Sequence, residues 1–336
     1  MRMKECLSYD DVLLAPQYSD IVSRKEVSLK SDLRPFEFDL PVISSPMDTV
    51  TGASMANAMS ENGGLGIIHR YCSVDEQAKM IMNSEARVKA AAIGVTGDYH
   101  ERALAVVAMG AQVLCVDVAH GHHILMKNAL QQLRETFGNT VHIMAGNVAT
   151  LAGINDLADW GADSIRCNIG GGSICSTRVQ TGHGLPGLQT LFDCSSTDRD
   201  VTIIADGGIR TSGDAVKALA AGADFVMLGS MLAGTIETPG RVIHTTEGKV
   251  QKLYRGMASK EAQVDWRGKH SSFEGVATTV PMAGPVTNVL EDIRNGIRSG
   301  LSYSGARTIK EFQAKACFVR QTSAGTTESA PHILLR

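Results

Sequence analysis

The chain has 336 residues, of which 43% are hydrophobic and 20% charged, and its formal net charge is −3 at pH 7. This length suits one α/β barrel with extensions, and a charge so close to zero, with scattered lysines and arginines, argues against a nucleic-acid partner. The 7 cysteines contain no CxxC pair and no apolar run is long enough to span a membrane, so we expect a cytoplasmic protein with no membrane partner, disulfide framework or zinc site.

Short β-branched runs alternate along the chain with amphipathic segments. The runs predict strands at Leu40–Ser45, Leu65–His69, Ala90–Val95, Val113–Val118, Val141–Gly146, Ser164–Ile169, Val201–Ala205 and Phe225–Gly229. The intervening segments predict helices over 51–62, 73–84, 98–109, 122–137, 150–160, 188–197 and 212–221. Eight apolar strands separated by helices favour a (β/α)8 TIM barrel, fold class α/β, as a single domain over 1–336. A doubly wound sheet is the alternative, but its GxGxxG fingerprint is absent after the first strand.

Polar residues and glycines follow several predicted strands, where α/β barrels carry their active sites. The glycines of Asp206-Gly207-Gly208 and Gly229-Ser230 follow strands seven and eight, the usual place for a bound phosphate, although each glycine could be a turn residue only. Cys175 ends the glycine run Gly170-Gly171-Gly172 after strand six. A lone cysteine is often just buried, but at this place it is a candidate nucleophile.

Three histidines, His120, His122 and His123, follow the fourth predicted strand. They could suggest a metal site, but metal ligands must project to one point and have supporting groups that the spacing does not supply. The sequence therefore gives no reason to assign them a metal.

The chain resembles the IMP dehydrogenase and GMP reductase superfamily over nearly its whole length. The matching stretches are 7–14, 45–50, 66–70, 117–122, 145–148, 170–178, 205–210 and 226–234. In that superfamily the cysteine that matches Cys175 attacks C2 of the purine of a nucleoside monophosphate, and the adduct exchanges hydride with a nicotinamide cofactor. A covalent adduct divides one difficult exchange into two easier steps.

The resemblance also implies roles for other residues. Matches to the nucleotide site, for GMP or IMP, are Met47, Ser173, Asp206, Gly207, Gly208, Gly229, Ser230, Tyr254, Gly256, Met257 and Gly275. Matches to the cofactor side are Asp117, Val118, Ala119 and Asn147. The backbone carbonyls of Gly170, Gly172 and Cys175 match the ligands of a monovalent cation, K+.

Two residues depart from the family pattern near the cysteine. Asn168 replaces a usual glycine, and Gly171 replaces a usual proline. Replacing proline by glycine loosens a loop, so we expect a weaker cation site.

The choice between the two family reactions depends mainly on the flap, about residues 258–284, which we expect to be mobile. The dehydrogenase hydrolyses its adduct with an Arg-Tyr pair there, and this flap has none. The family's inserted regulatory domains are also missing, and Thr181-Gly182 resembles the reductase. Ser44 to Met47, Gln321 to Gly325 and Glu328-Ser329 are instead more like the dehydrogenase.

We weigh the flap most heavily, since it carries the step that separates the reactions, and favour an NADPH-dependent GMP reductase. Thr177 and Glu274 match the reductase pair that protonates departing ammonia, whereas a flap carboxylate without that resemblance would simply be solvated. The alternatives are an NAD-dependent IMP dehydrogenase without regulatory domains and a non-catalytic nucleotide-binding barrel. The family's assembly implies a homotetramer or an octamer.

Overall fold

The computed structural model describes residues 3–269, 274–329 and 331. Its strands, in chain order, are β1 (Val12–Leu14), β2 (Ser31–Leu33), β3 (Phe36–Phe38), β4 (Val42–Ser44), β5 (Leu65–Ile68), β6 (Ala90–Ile93), β7 (Val113–Asp117), β8 (His142–Val148), β9 (Ser164–Cys167), β10 (Thr202–Asp206), β11 (Phe225–Leu228), β12 (Val242–His244), β13 (Val250–Arg255), β14 (Ala277–Pro281) and β15 (Phe318–Arg320). Its α-helices are α1 (Ala53–Glu61), α2 (Val74–Asn83), α3 (Tyr99–Ala108), α4 (Ile124–Phe137), α5 (Leu151–Asp159), α6 (Thr177–Thr181), α7 (Gly187–Cys194), α8 (Ser212–Ala220), α9 (Lys260–Arg267), α10 (Val286–Tyr303), α11 (Ile309–Lys315) and α12 (Ser323–Glu328).

Strands β4 to β11 close into a barrel in which all neighbours are parallel. Each strand predicted from the sequence overlaps one barrel strand, and each predicted helix overlaps one of α1–α5, α7 and α8. The TIM barrel is therefore confirmed, and the doubly wound alternative is excluded because β11 pairs with β4 to close the sheet.

The barrel interior and the layer between barrel and helices form two separate hydrophobic cores. The hairpin β2–β3 lies at the N-terminal end of the barrel and places Leu33 and Phe38 in the interior core. The Phe38 ring meets the Phe225 ring edge-on at 5.8 Å. Apolar side chains thus fill that end of the barrel, and the functional groups collect at the opposite end.

The eighth barrel helix, α10, was not predicted, although its buried residues recur at helical spacing: Val286, Leu290, Ile293, Ile297 and Leu301. The segment between β11 and α10 contains the antiparallel sheet β12–β13–β14 and helix α9. This sheet lacks fully buried strands, since β12 and β14 are exposed or half-buried throughout. Its strands therefore do not appear as apolar runs in the sequence.

The C-terminal segment packs on the N-terminal segment of the same chain. β15 pairs antiparallel with β1, and Gln321 Nε2 donates to the Asp10 carbonyl at 2.7 Å. The segment up to α12 is therefore held on its own subunit. None of the helices in the described ranges is long and apolar enough to cross a membrane.

Candidate active site

A pocket of about 280 Å³ opens at the C-terminal end of the barrel. The predicted site residues that line it are Met47, Asp117, Val118, Ala119, Asn147, Gly170, Gly172, Ser173, Cys175, Thr177, Asp206, Gly207, Gly208, Gly229, Ser230, Tyr254, Gly256, Met257 and Glu274. Gly275 is the predicted residue outside this lining, and it forms an isolated antiparallel bridge with Cys175. Loops that are far apart in the sequence therefore meet in one cavity.

The Cys175 thiol is exposed in this pocket at the start of a short helix. The Cys175 amide donates to the Gly172 carbonyl at 3.1 Å, which closes the turn that carries the thiol. Helix α6 begins two residues later, and Thr177 Oγ1 lies 3.2 Å from Cys175 Sγ. This hydroxyl is within hydrogen-bonding distance of the sulfur.

Backbone pairing with the flap holds the cysteine loop. The Ser176 amide donates to the Glu274 carbonyl at 2.9 Å, and the Val276 amide donates to the Ile174 carbonyl at 3.0 Å. These bonds place the half-buried Glu274 in the same pocket wall as Thr177. The thiol, the hydroxyl and the carboxylate thus come from the loop after β9 and from the flap. Residues 270–273 of the flap lie outside the described residues.

Glycines form the side of the pocket where a phosphate was predicted. Gly207 and Gly208 have φ of +86° and +78°, a conformation that glycine adopts at little cost. A Cβ atom at Gly229 would lie 3.2 Å from the Tyr254 hydroxyl, so a side chain at this strand end would crowd the tyrosine. Burial raises the pKa of Tyr254, and hydrogen bonding to Ser173 and Ser230 opposes that rise. The tyrosine therefore stays neutral and hydrogen-bonded among the nucleotide-side residues.

A buried arginine joins the two predicted ligand subsites. Arg166 NH1 lies 2.5 Å from Asp117 Oδ1, and Arg166 NH2 lies 2.7 Å from Asp206 Oδ2. Asn147 Nδ2 also donates to Asp206 Oδ2, at 2.8 Å. Burial alone would lower the pKa of Arg166, but Asp206 and Asp117 outweigh burial and raise it, so the guanidinium remains charged. Its side chain is only 7% exposed, and both carboxylates depend on it for neutralisation.

The two departures from the family pattern, Asn168 and Gly171, are in contact with each other. A Cβ atom at position 171 would lie 2.0 Å from Asn168 Nδ2. The Asn168 amide is held in place, because Nδ2 donates to the Gly207 carbonyl at 3.2 Å and Oδ1 accepts from Arg178 NH2 at 3.4 Å. Side-chain bonds from Asn168 thus brace the loop where the family usually has proline, and they require glycine at 171.

Sequence reasoning missed three pocket residues with charged or aromatic side chains: Arg70, Tyr71 and Arg166. Arg166 had a detectable signal, since it is the charged residue in the otherwise buried strand β9. Arg70 and Tyr71 follow β5, and Arg70 NH2 donates to the Asp117 carbonyl at 3.2 Å. The Arg70 guanidinium also lies 5.4 Å from the centre of the Tyr71 ring, within the range of a cation–π contact.

The three histidines after β7 lie at the rim, just beyond the pocket lining. His122 Nε2 is 2.7 Å from Asp156 Oδ2, and His123 Nδ1 accepts from the Leu125 amide at 3.1 Å. No group of three or more His, Cys, Asp or Glu side chains within the described ranges is arranged to hold a metal ion.

With this geometry established, comparison with known proteins places the chain in a family. Residues 6–332 match the family model described as IMP dehydrogenase / GMP reductase domain. The chain belongs to this family. The family's members act as oxidoreductases on purine nucleotides, so the chain is an enzyme of that class.

Relatives from both branches resemble the chain equally well. It is 33% identical to inosine-5'-monophosphate dehydrogenase of Nitrosopumilus maritimus (strain SCM1) across 100% of both sequences, and 33% identical to GMP reductase of Leishmania major across 98% of this chain and 97% of the relative. Among solved structures, a cysteine-to-alanine variant of GMP reductase from Trypanosoma brucei in complex with guanosine 5'-monophosphate superimposes with a TM-score of 0.93. That protein is 32% identical, and 98% of each chain is covered.

The alignment lengths indicate whether these relatives contain inserted segments that this chain lacks. The dehydrogenase from Nitrosopumilus maritimus aligns over 476 positions and the reductase from Leishmania major over 479, although this chain has 336 residues. Both relatives therefore contain inserted segments that this chain lacks. The missing insertion therefore does not distinguish a GMP reductase from an IMP dehydrogenase. The distinction has to come from the sequence of the flap.

Proposed function

We propose that the chain is a GMP reductase that converts GMP to IMP and ammonia with NADPH. The observation that carries this proposal is the meeting of Cys175, Thr177 and Glu274 in one pocket, with the flap backbone paired to the cysteine loop. The same flap lacks the Arg-Tyr pair that would activate water in a dehydrogenase. A hydroxyl and a carboxylate next to a thiol suit the loss of a protonated amine.

The chemistry begins with the Cys175 thiolate, which adds to C2 of the purine. Thr177, next to the sulfur, and Glu274 then pass a proton to the 2-amino group, so that the C2–N bond breaks and ammonia leaves while the C2–S bond remains. When bound, NADPH supplies the hydride that C2 receives, and the C2–S bond then breaks to release IMP and regenerate the thiolate. The covalent intermediate lets the enzyme separate amine loss from reduction.

Binding groups for the substrate surround this chemistry. The amides of the Gly207–Gly208 turn and of Gly229-Ser230 are available to a phosphate. Within the described residues, the hydrogen bonds to the Asp206 carboxylate all end on Oδ2, so we assign Oδ1 to the ribose hydroxyls. Met47 and Met257 contribute apolar contact surface to the same pocket.

The cofactor side fits a nicotinamide riboside. Asp117, Val118, Ala119 and Asn147 form one wall of the pocket, and the charge of Asp117 is neutralised by Arg166. We assign the Asp117 carboxylate to a ribose hydroxyl of the dinucleotide, because a carboxylate already paired with arginine accepts hydrogen bonds without an uncompensated buried charge.

The turn at the cysteine also fits a monovalent cation. Gly170 and Gly172 have no side chains to screen their carbonyls, and the Gly172 carbonyl, which accepts from the Cys175 amide, keeps a second lone pair. We propose that the carbonyls of Gly170, Gly172 and Cys175 hold K+, and we expect KCl to increase turnover more than equimolar LiCl. Equal rates in the two salts would contradict this assignment.

We further propose that the chain assembles as a homotetramer or an octamer, as the family resemblance implies. Light scattering at micromolar concentration is expected to give at least four times the monomer mass of 35.7 kDa. A monomeric mass would contradict the proposal.

Replacing Glu274 by glutamine tests the proposed reaction. Gln keeps the size of the side chain but cannot donate a carboxylic proton, so turnover with GMP and NADPH is expected to fall by about 10²–10⁴ while GMP binding changes little. Glu261→Gln, an exposed site on α9 of the same flap, is the matched control. Full GMP reduction by Glu274→Gln would contradict the assigned role.

A further inference from the structure

The histidine loop after β7 is joined closely to the predicted cofactor wall. The Asn147 amide donates to the Val118 carbonyl at 2.9 Å, and the Gly121 amide donates to the Asn147 carbonyl at 2.7 Å. A Cβ atom at Gly121 would lie 3.0 Å from the Asn147 carbonyl oxygen, so glycine permits this close approach. Ala119 is the last residue of the loop that lines the pocket, and the exposed His120 follows it directly.

The imidazoles of this loop present free ring nitrogens to solvent. His123 Nδ1 accepts from the Leu125 amide, so the neutral ring carries its proton on Nε2 and offers it as a donor. No hydrogen bond to the His120 ring occurs within the described residues. His183, on the segment after α6, has Nδ1 2.8 Å from the Thr181 carbonyl, which leaves Nε2 of that exposed ring available.

Several histidines interact electrostatically at this part of the rim. Burial lowers the pKa of His120, and the positive charges of His122, His123 and His183 lower it further, so three other imidazoles lie within electrostatic range of His120. The carboxylate that faces the cluster is Asp156 of α5, which is already bonded to His122 beside the Trp160 ring. An anion bound here would relieve the mutual repulsion of the protonated rings.

The rim on the other side of the pocket has a different charge. A second cavity of about 700 Å³ lies there, beyond Tyr71. Its charged lining consists of three carboxylates, Asp48, Glu76 and Asp265, and two cations, Lys79 and Arg255, with His69 beside them. The Arg255 guanidinium is bonded to both Asp48 and Asp265, so its charge is already compensated. The fixed charges on that side therefore nearly cancel, whereas protonated histidines on the other side would attract a polyanion that leaves the pocket.

We propose that His120, His123 and His183 form a phosphate-binding site for the adenosine half of the nicotinamide dinucleotide, at the point where the cofactor leaves the pocket. This proposal rests on the proposed function in one respect: it requires that the enzyme bind a nicotinamide dinucleotide. Its ligand is a phosphate group, from either the diphosphate bridge or a 2'-phosphate. Because phosphate favours protonated imidazole, cofactor binding takes up protons, and affinity falls as the pH rises through the range in which histidine titrates.

The double variant His120→Gln/His123→Asn tests this site. Asparagine at 123 retains a residue suited to the N-cap of α4, and His122 is left unchanged because it packs with Asp156 and Trp160. His244→Gln is the matched control, since His244 is exposed on β12, which follows the barrel strand β11 far around the ring from β7. Titration calorimetry would measure NADPH and NADH binding at pH 6.5 and 8, in buffers with different ionisation enthalpies.

The expected result is a roughly tenfold to hundredfold weaker binding of NADPH by the double variant at pH 6.5, with the proton uptake lost and GMP affinity unchanged. Equal weakening for NADPH and NADH assigns the site to the diphosphate bridge, and weakening for NADPH alone assigns it to the 2'-phosphate. Cofactor affinity within about twofold of the wild type, with proton uptake retained, would overturn the proposal.

The same titrations separate this inference from the reaction assignment. If the wild type binds NAD+ with IMP and reduces no GMP, the proposed function fails. The histidine site can still be tested, because NAD+ contains the same diphosphate and its binding to the double variant can be measured in the same way. If the wild type binds no nicotinamide dinucleotide, both proposals fail.

Discussion

The contact between Asn168 and Gly171 predicts that a single methyl group at position 171 disturbs the active-site loop. Alanine at 171 would place Cβ 2.0 Å from Asn168 Nδ2 and 2.8 Å from its Cγ, much closer than carbon and nitrogen can approach. The Asn168 amide must then move and lose its bonds to the Gly207 carbonyl and to Arg178. At about 1–2 kcal/mol for each buried hydrogen bond, we expect the free energy of unfolding to fall by about 2–4 kcal/mol.

The loss should extend to catalysis, because Gly171 lies between two proposed cation ligands and Asn168 connects the loop to the Gly207–Gly208 turn. The assay is urea unfolding together with kcat/KM for GMP. Gly213→Ala is the control, since a Cβ atom there would have its nearest neighbour at 3.5 Å, an ordinary contact.

A double-mutant cycle measures the coupling directly. Asn168→Gly removes the obstructing amide and also relieves a backbone φ of +132°, which glycine tolerates better than asparagine. Gly171→Ala should therefore cost much less when glycine occupies 168. The proposed contact is refuted if the effects of the two substitutions on the free energy of unfolding are additive to within about 0.5 kcal/mol. It is also refuted if Gly171→Ala lowers that free energy no more than the Gly213→Ala control does.

Three further predictions concern the site and the fold. Cys175→Ala should abolish turnover and keep GMP affinity within about tenfold, because the thiol acts only in chemistry; measurable turnover by this variant would contradict the covalent mechanism. Arg166→Leu leaves Asp117 and Asp206 without their buried partner, so unfolding in urea should show a loss of about 3–5 kcal/mol, and an unchanged midpoint would refute the pairing. Burial lowers the pKa values of buried histidines, including His142, so the unfolded chain binds more protons than the folded one near the ordinary histidine pKa of about 6.5. The free energy of unfolding should therefore fall as the pH decreases from about 7.5 to 5.5, and His142→Gln should reduce that slope; an identical slope in the variant would refute the assignment.

The barrel could be predicted because strands such as β5, β6 and β11 are continuous buried apolar runs, and such runs are visible in the sequence. The flap sheet could not, because β12 has no buried residue and its position depends on pairing with β13. Its register and its contact with the cysteine loop arise only in three dimensions.

In the candidate site, too, some features could be predicted from the sequence and others depend on the three-dimensional structure. Family motifs identify Cys175 and Asp206, but they do not indicate that Arg166 of β9 connects Asp206 of β10 to Asp117 of β7. The departures at 168 and 171 were each visible in the sequence. Glycine at 171 was expected to make the loop less rigid. That expectation did not take Asn168 into account, whose side-chain amide lies where a side chain at 171 would be.

The most direct test of the proposed reaction compares two reactions of the purified protein. One contains GMP and NADPH and the other IMP and NAD+, and both are followed by the absorbance of reduced nicotinamide, with the purine products identified by chromatography. We expect NADPH oxidation with equal amounts of IMP and ammonia in the first reaction, at a rate well above that of the second. Formation of XMP from IMP and NAD+ faster than GMP is reduced would contradict this expectation and identify the chain as an IMP dehydrogenase.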